Sequence, residues 1–159
     1  MNVRPATPAD APVIATLNAD VQALHHEAAP QWFKPPDRAA AEEYFRALLA
    51  ADAFQAFVVE VDGRPLGYAL ARIREVPETA LTYGSSVVEL DQVGVDPSSQ
   101  GQGLGRELIG AVRRFAAASG ASRLQLTVWE FNTRARQVFE RAGFAAATTR
   151  MVADLGTEV

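Results

Sequence analysis

The chain has 159 residues, 48% of them hydrophobic and 21% charged, which suits about one domain of a soluble globular protein with a core of its own. A net charge of −4 argues against a nucleic-acid partner and is compatible with a pocket for cationic amines. The lack of cysteine excludes disulfides, thiolate metal sites and a cysteine-bound acyl intermediate. No apolar run reaches membrane-spanning length and Met1-Asn2-Val3-Arg4-Pro5 lacks a signal-peptide core, so the expectation is a cytoplasmic protein with no membrane partner.

In chain order, residues 2–4 read as a short first strand. Thr7-Pro8-Ala9-Asp10 reads as a helix start, with a capping hydroxyl, proline in the first turn and an acid at its third position. Val13, Ile14, Leu17, Val21 and Leu24 continue at helical spacing until Pro30. A loop over 31–36 carries Trp32 and Phe33, and Asp37 caps a second helix whose apolar face holds Ala41, Tyr44, Phe45 and Leu48. Residues 56–61 and 66–73 are predicted strands joined by Asp62-Gly63-Arg64-Pro65, a hairpin turn by its Asp-Gly core. After a loop over 75–84, residues 86–95 form a long strand. A third helix spans 104–118, with Leu104, Leu108, Ile109, Val112, Phe115 and Ala116 on one face and Ser119-Gly120 as its stop.

Leu124, Leu126 and Val128 alternate with polar residues, as a strand does. Asn132 then caps a fourth helix ending near Gly143, and residues 144–155 are expected to form a last strand. The order β-α-α-β-β-β-α-β-α-β makes an α/β fold with one mixed sheet, and no linker or repeat divides the single domain over 1–159.

The segment Val93-Gly94-Val95-Asp96-Pro97-Ser98-Ser99-Gln100-Gly101-Gln102-Gly103-Leu104-Gly105-Arg106 joins a strand to a helix through three glycines at alternate positions. Glycines admit backbone N–H groups close to an anion, and a helix start adds unpaired donors and a positive dipole end. It is not an ATP-type loop, because Arg106-Glu107 replace the required lysine and hydroxyl. It fits a dinucleotide loop poorly, because Arg106 stands at the third glycine position and residues 124–129 hold no acid. Gln-x-x-Gly-x-Gly is satisfied by Gln100, Gly103 and Gly105.

That last pattern resembles the coenzyme A signature of the GNAT superfamily of N-acetyltransferases. A second segment agrees: Asn132-Thr133-Arg134-Ala135-Arg136-Gln137-Val138-Phe139 followed by Gly143-Phe144 is similar to that superfamily's Asn-x-x-Ala-x-x-aromatic helix. The coarse element order matches along nearly the whole chain. The resemblance implies a sheet whose central strands splay apart, acetyl-CoA as acyl donor with no metal, and transfer to a small-molecule or peptide amine by direct attack in a ternary complex, by a monomer or homodimer.

It also implies that the backbone N–H groups of Gly101, Gln102, Gly103, Leu104, Gly105 and Arg106 hold the pyrophosphate, with Gln100 at the loop entry. The Arg106 side chain either adds charge there or is a solvated arginine. Backbone groups of Val93, Gly94 and Val95 border the pantetheine arm, with the Val93 N–H near the thioester carbonyl. Asn132 both caps its helix and bonds the arm. Phe139 stands where many members carry a tyrosine acid and has no proton to give. The thiolate then leaves unprotonated, water serves, or Tyr83 substitutes.

An ammonium must lose a proton before attack. Glu89 and Asp91 are the candidate bases: they interrupt an apolar strand and share a face if no bulge intervenes. His25, Trp32 and Phe33 are candidates for the acceptor wall, with ordinary packing as the alternative reading. His25 and His26 point about 100° apart on a helix, which disfavours a shared metal. Two other readings stand beside the enzyme: a non-catalytic acyl-CoA-binding module, and an NAD- or ATP-binding protein.

Overall fold

The computed structural model describes residues 1–153 and 155. The chain divides into two compact units, Met1–Thr127 and Val128–Val159.

The first unit is a five-stranded sheet in the order β1-β2-β3-β4-β5. The strands are β1 (Asn2–Pro5), β2 (Phe54–Val61), β3 (Arg64–Val76), β4 (Ser85–Val95) and β5 (Arg123–Leu126). The first four pair antiparallel, while β5 runs parallel to β4. The β2–β3 hairpin turns at Asp62 (φ 52°) and Gly63 (φ 75°), the double positive φ that an Asp-Gly turn supplies.

Helices α1 (Ala11–Ala28) and α2 (Arg38–Leu49) cover one face. Ile14, Ala15 and Phe45 pack there with Val58, Tyr68 and Leu70, all buried. Helix α3 (Leu104–Ala118) covers the other, burying Leu104, Leu108, Ile109 and Val112. The faces follow from period two along β3: Tyr68 and Leu70 belong to the α1/α2 core, whereas a Cβ at Gly67 would meet Leu108 of α3 at 3.2 Å. A shallow groove of about 360 Å³ among Val3, Gln55, Phe57, Arg114 and Phe115 lies on the α3 face.

The start of α1 is tied to the sheet by charge. Arg4 reaches Asp10 at 2.7 Å and Glu60 at 2.9 Å, and the Thr7 N–H donates to Asp10 Oδ2 at 2.8 Å. The Arg4 guanidinium hydrogen bond outweighs burial and holds the Asp10 carboxyl at about 2.

The second unit holds α4 (Thr133–Arg141). Asn132 caps it, Oδ1 accepting from the Ala135 N–H at 3.2 Å, and Gly143 (φ 86°) follows it in the left-handed region. Among the described residues the strand expected over 144–155 is not formed: residues 144–153 are irregular, and Asp154 lies outside the described residues. A run of small residues, Ala145-Ala146-Ala147, carries little β-branched or aromatic weight to drive pairing. Strand β5 is shorter than its alternation suggested, ending at Leu126 rather than Val128. Among the described residues no helix is long and apolar enough to cross a membrane.

Candidate active site

The site is built on the second half of β4. Pairing between β4 and β5 covers only Val87 to Leu90 against Arg123 to Leu126. From Gln92 to Val95, β4 keeps its β3 partners on one side, and among the described residues no strand pairs with the other side from Asp91 onward. The Asp96 N–H donates to Leu66 O at 2.8 Å, and the Gly94 carbonyl also faces β3, 2.9 Å from where a Gly67 Cβ would stand. Backbone groups alternate sides along a strand, so the N–H and C=O of Val93 and Val95 face the open edge. The Val95 carbonyl accepts from Gln100 Nε2 at 3.2 Å, which folds the loop entry back onto the strand end.

The loop that follows is conformationally demanding. Asp96 caps a single turn over 97–99, with the Ser98 N–H donating to Asp96 Oδ1 at 2.9 Å. Gly101 and Gly103 have φ of +83° and +84°, which side chains with a Cβ adopt only under strain. Nothing lies within 4 Å of a Cβ built on either, so these glycines answer to backbone shape and open space, not to crowding. The first bond of α3 runs from the Glu107 N–H to Gly103 O at 3.1 Å. Helix geometry leaves the N–H groups of Leu104, Gly105 and Arg106 without intrahelical partners. Gln100, Gly101, Gln102, Gly103 and the Arg106 side chain are exposed, while Leu104 anchors the turn in the core. The result is an exposed cluster of N–H donors at the positive end of a fifteen-residue helix.

The two carboxylates occupy different environments. The β3–β4 register shifts between Leu70 and Ala71: Ala71 faces Leu90 and Leu70 faces Gln92, so Asp91 is an extra residue in β4. It is a bulge that period two does not foresee, yet it leaves Glu89 and Asp91 on one side, because both reach Arg72. Glu89 Oε2 lies 3.2 Å from Arg72 and 2.7 Å from Arg74. Asp91 Oδ2 lies 3.3 Å from Arg72 Nε, a nitrogen that is buried and makes no aligned hydrogen bond. Burial pushes the Glu89 carboxyl up, but the two guanidiniums outweigh it and leave Glu89 below the usual range. Burial also pushes Asp91 up, and there the charges of Arg72 and Arg74, opposed by that of Glu89, do not reverse it. The Asp91 side chain is 21% exposed although the residue as a whole is exposed, so what the bulge opens to solvent is largely backbone.

Behind the bulge, α1 lies over β4. A Cβ at Gly94 would stand 2.7 Å from Tyr68 Cε1, 3.1 Å from Val21 and 3.4 Å from Leu17 O, so this glycine admits α1 and the Tyr68 ring. Asn18 Nδ2 donates to Tyr68 Oη at 2.8 Å and to Gln92 Oε1 at 3.1 Å. Tyr68 Oη donates to Gln92 Oε1 at 3.0 Å. Burial pushes the Tyr68 hydroxyl well above its ordinary value, so it stays neutral. None of these three was singled out from sequence, though Asn18 sits four residues from Ile14 on the apolar stripe and Gln92 breaks an apolar strand.

His25 lies one turn beyond Val21, its Nδ1 2.7 Å from Val21 O and its ring 4.9 Å from that of Phe33. His26 Nδ1 lies 2.8 Å from Phe33 O, so the 31–36 loop folds back on α1, with Trp32 half exposed. Tyr83 stands 92% exposed in the β3–β4 loop, eight residues before Asp91. In the second unit, Phe139 is buried and meets Phe144 edge-on at 5.9 Å.

A family model described as the acetyltransferase (GNAT) family matches residues 21–144. The chain belongs to the GNAT acetyltransferase family. Mycothiol acetyltransferase of Amycolatopsis mediterranei (strain U-32) is 36% identical over 104 residues, which is 65% of this chain and 34% of that protein. An uncharacterized N-acetyltransferase of Bacillus subtilis (strain 168) is 25% identical over 148 residues, 93% of this chain and 92% of that one. The chain thus spans between about a fifth and a third of the mycothiol acetyltransferases it matches and nearly the whole of the shorter relative. Among solved structures, a tetramutant of the BH1408 protein from Bacillus halodurans superposes with a TM-score of 0.91 at 22% identity, covering 98% of this chain and 100% of that one. An aminoglycoside N-acetyltransferase in complex with CoA gives a TM-score of 0.76 at 23% identity, over 98% and 94%. At these identities the likeness is one of GNAT fold, and it includes the mixed sheet described above.

Proposed function

We propose that this GNAT chain transfers acetyl from acetyl-CoA to a primary amine by direct attack, with Asp91 as general base. One observation carries the reading: the open edge of β4 begins at Asp91 and runs without a break through Val93 and Val95 into the glycine loop. A base, two outward backbone donors and an anion cradle therefore lie in one line along the chain.

The residues present suit the coenzyme. The left-handed Gly101 and Gly103, free of any Cβ, present the N–H groups of residues 101–106 to a pyrophosphate. The backbone of Val93 and Val95 takes the extended arm as an added strand would be taken. Coenzyme A supplies an acyl thioester whose carbonyl oxygen gains negative charge as the amine attacks. The outward Val93 N–H is the donor for that charge.

Asp91 is favoured over Glu89 by geometry and by charge. Glu89 is engaged by two arginines and held below its ordinary range, so it takes a proton poorly. Asp91 has one unaligned guanidinium contact and a raised carboxyl, closer to what proton abstraction near neutral pH requires. The coenzyme thiol is acidic enough to depart without an acid, which accommodates both Phe139 and the exposed Tyr83. The related proteins' names mention mycothiol and aminoglycosides, and an acceptor of the small amine class is proposed for this chain on the same footing.

The test is release of free thiol from acetyl-CoA over a panel of primary amines, alongside coenzyme A binding. Amine-dependent thiol release supports the reading; coenzyme binding with no release from any amine overturns it.

A further inference from the structure

A bulge does more than displace a base. Asp91 reaches Arg72, and Gln92, the next residue, reaches Tyr68 and Asn18. Tyr68, Leu70 and Arg72 share one face of β3 by alternation, so two consecutive side chains of β4 project to the α1 side. A regular strand would send them to opposite faces. The carboxylate and the amide are therefore neighbours, on residues whose Cα atoms are about 3.8 Å apart.

The network behind them is saturated except at two atoms. Asn18 Nδ2 uses both hydrogens, on Tyr68 Oη and Gln92 Oε1. Gln92 Oε1 takes both available donors, and the Tyr68 hydroxyl gives its one hydrogen. That leaves Gln92 Nε2 and Asn18 Oδ1, neither with a protein partner among the described residues. Asn18 is only 8% exposed, and among the described residues the buried side-chain polar atom without a partner is Arg72 Nε, so Asn18 Oδ1 and Gln92 Nε2 both reach accessible space. Reversing both amides together preserves every bond and exchanges the two roles. Either way the network presents one donor and one acceptor beside Asp91. An outward donor and an outward acceptor held in fixed directions suit a ligand that completes the pattern.

We infer that Asn18 and Gln92 form an acceptor-recognition pair, selecting amines whose neighbouring carbon carries an amide or hydroxyl that both donates and accepts a hydrogen bond. The inference rests on the acetyl-transfer reading, because Asp91 marks where the amine sits. A group one or two bonds from the reacting nitrogen lies within reach of both outward atoms. Tyr68 does not touch the acceptor; it fixes the direction of both amides and so acts as a positioning residue.

The probes are glycinamide and isobutylamine, which match in shape and differ in the amide. Two quantities are measured for each, in the full chain and in Gln92→Glu: kcat/KM for acetylation, corrected to free-base amine, and affinity for the coenzyme-A-saturated protein by NMR titration. The carboxylate introduced by Gln92→Glu still accepts from Tyr68 and Asn18 but has no hydrogen to offer, so the outward pair becomes two acceptors. The native chain is expected to favour glycinamide, and in Gln92→Glu the glycinamide-to-isobutylamine ratio is expected to fall about three- to tenfold in affinity, the size of one neutral hydrogen bond. A ratio cancels the folded fraction, so partial unfolding does not mimic the result. Equal affinity of the native chain for the two amines, or a ratio that Gln92→Glu leaves unchanged, overturns the inference. A fall in the affinity ratio with no thiol released from either amine upholds the recognition pair and overturns the acetyl-transfer reading instead.

Discussion

Arg72 Nε lies 3.3 Å from Asp91 Oδ2 but makes no aligned hydrogen bond to it. Its NH2 nitrogen bonds Glu89 at 3.2 Å. One guanidinium thus sorts two carboxylates into different states. Glu89, with Arg74 added, is stabilised as the anion; Asp91 feels the charge but gains no directed bond and is raised by burial.

Asp91→Asn is expected to lower kcat by about 10²- to 10⁴-fold, the usual contribution of a positioned base, with coenzyme A affinity unchanged. Glu89→Gln is expected to lower it far less and to cost about 1 kcal/mol of stability, since Arg74 is exposed and Arg72 only half-buried. Steady-state kinetics and urea denaturation of the two variants read these directly. Equal kinetic losses would place the base elsewhere.

The pH profile should follow Asp91. Its carboxyl is raised, so the acid limb of kcat/KM is expected above the ordinary aspartate range. Arg72 lowers Asp91 while Glu89 raises it. Arg72→Gln removes the first influence and leaves Glu89 less neutralised. Both changes favour the protonated acid, so the limb is expected to move to higher pH. A shift to lower pH would contradict the assignment.

Two glycines separate backbone shape from packing. Gly103→Ala places a Cβ in open space at φ +84°; it is expected to cost about 1–2 kcal/mol of stability and to weaken coenzyme A binding. Gly94→Ala drives a Cβ to 2.7 Å from the Tyr68 ring and 3.4 Å from a helix carbonyl. It is expected to destabilise by about 1–3 kcal/mol through overpacking. Calorimetric titration and thermal melts distinguish them, because only Gly103→Ala should lose affinity beyond its loss of stability.

Acid sensitivity should trace in part to Asp10. Its folded-state value of about 2 is below that of an unfolded aspartate, so it stabilises the fold above about pH 4 and loses that contribution as pH falls toward 2. Asp10→Asn is expected to be less stable than the native chain at pH 5 and to show a flatter decline between pH 5 and pH 2. Urea midpoints across that window measure it.

Local chemistry made most of the frame legible. The Asp62-Gly63 turn, the Asn132 and Gly143 caps and the 104–118 helix stand where capping and periodicity put them, because each depends on residues within a few positions. The last strand is not formed by the described residues, 144–153 being irregular, although Thr148, Thr149 and Val152 favour pairing. The bulge at Asp91 was invisible for a different reason: it is a property of the β3–β4 register, set by residues some twenty positions apart. So were the grip of Arg72 and Arg74 on Glu89 and the Asn18–Tyr68–Gln92 network. Sequence named both carboxylates as candidates, but only their long-range partners separate them.

In the proposed reaction the open edge of β4 and its glycine loop present acetyl-CoA to an amine activated by Asp91. The most direct measurement is the pH dependence of thiol release from acetyl-CoA by the native chain and Asp91→Asn, at saturating coenzyme and a fixed concentration of free-base amine. The native chain is expected to show an acid limb that disappears, with most of the rate, in the variant. A variant that retains both the limb and the rate would contradict the proposed reaction.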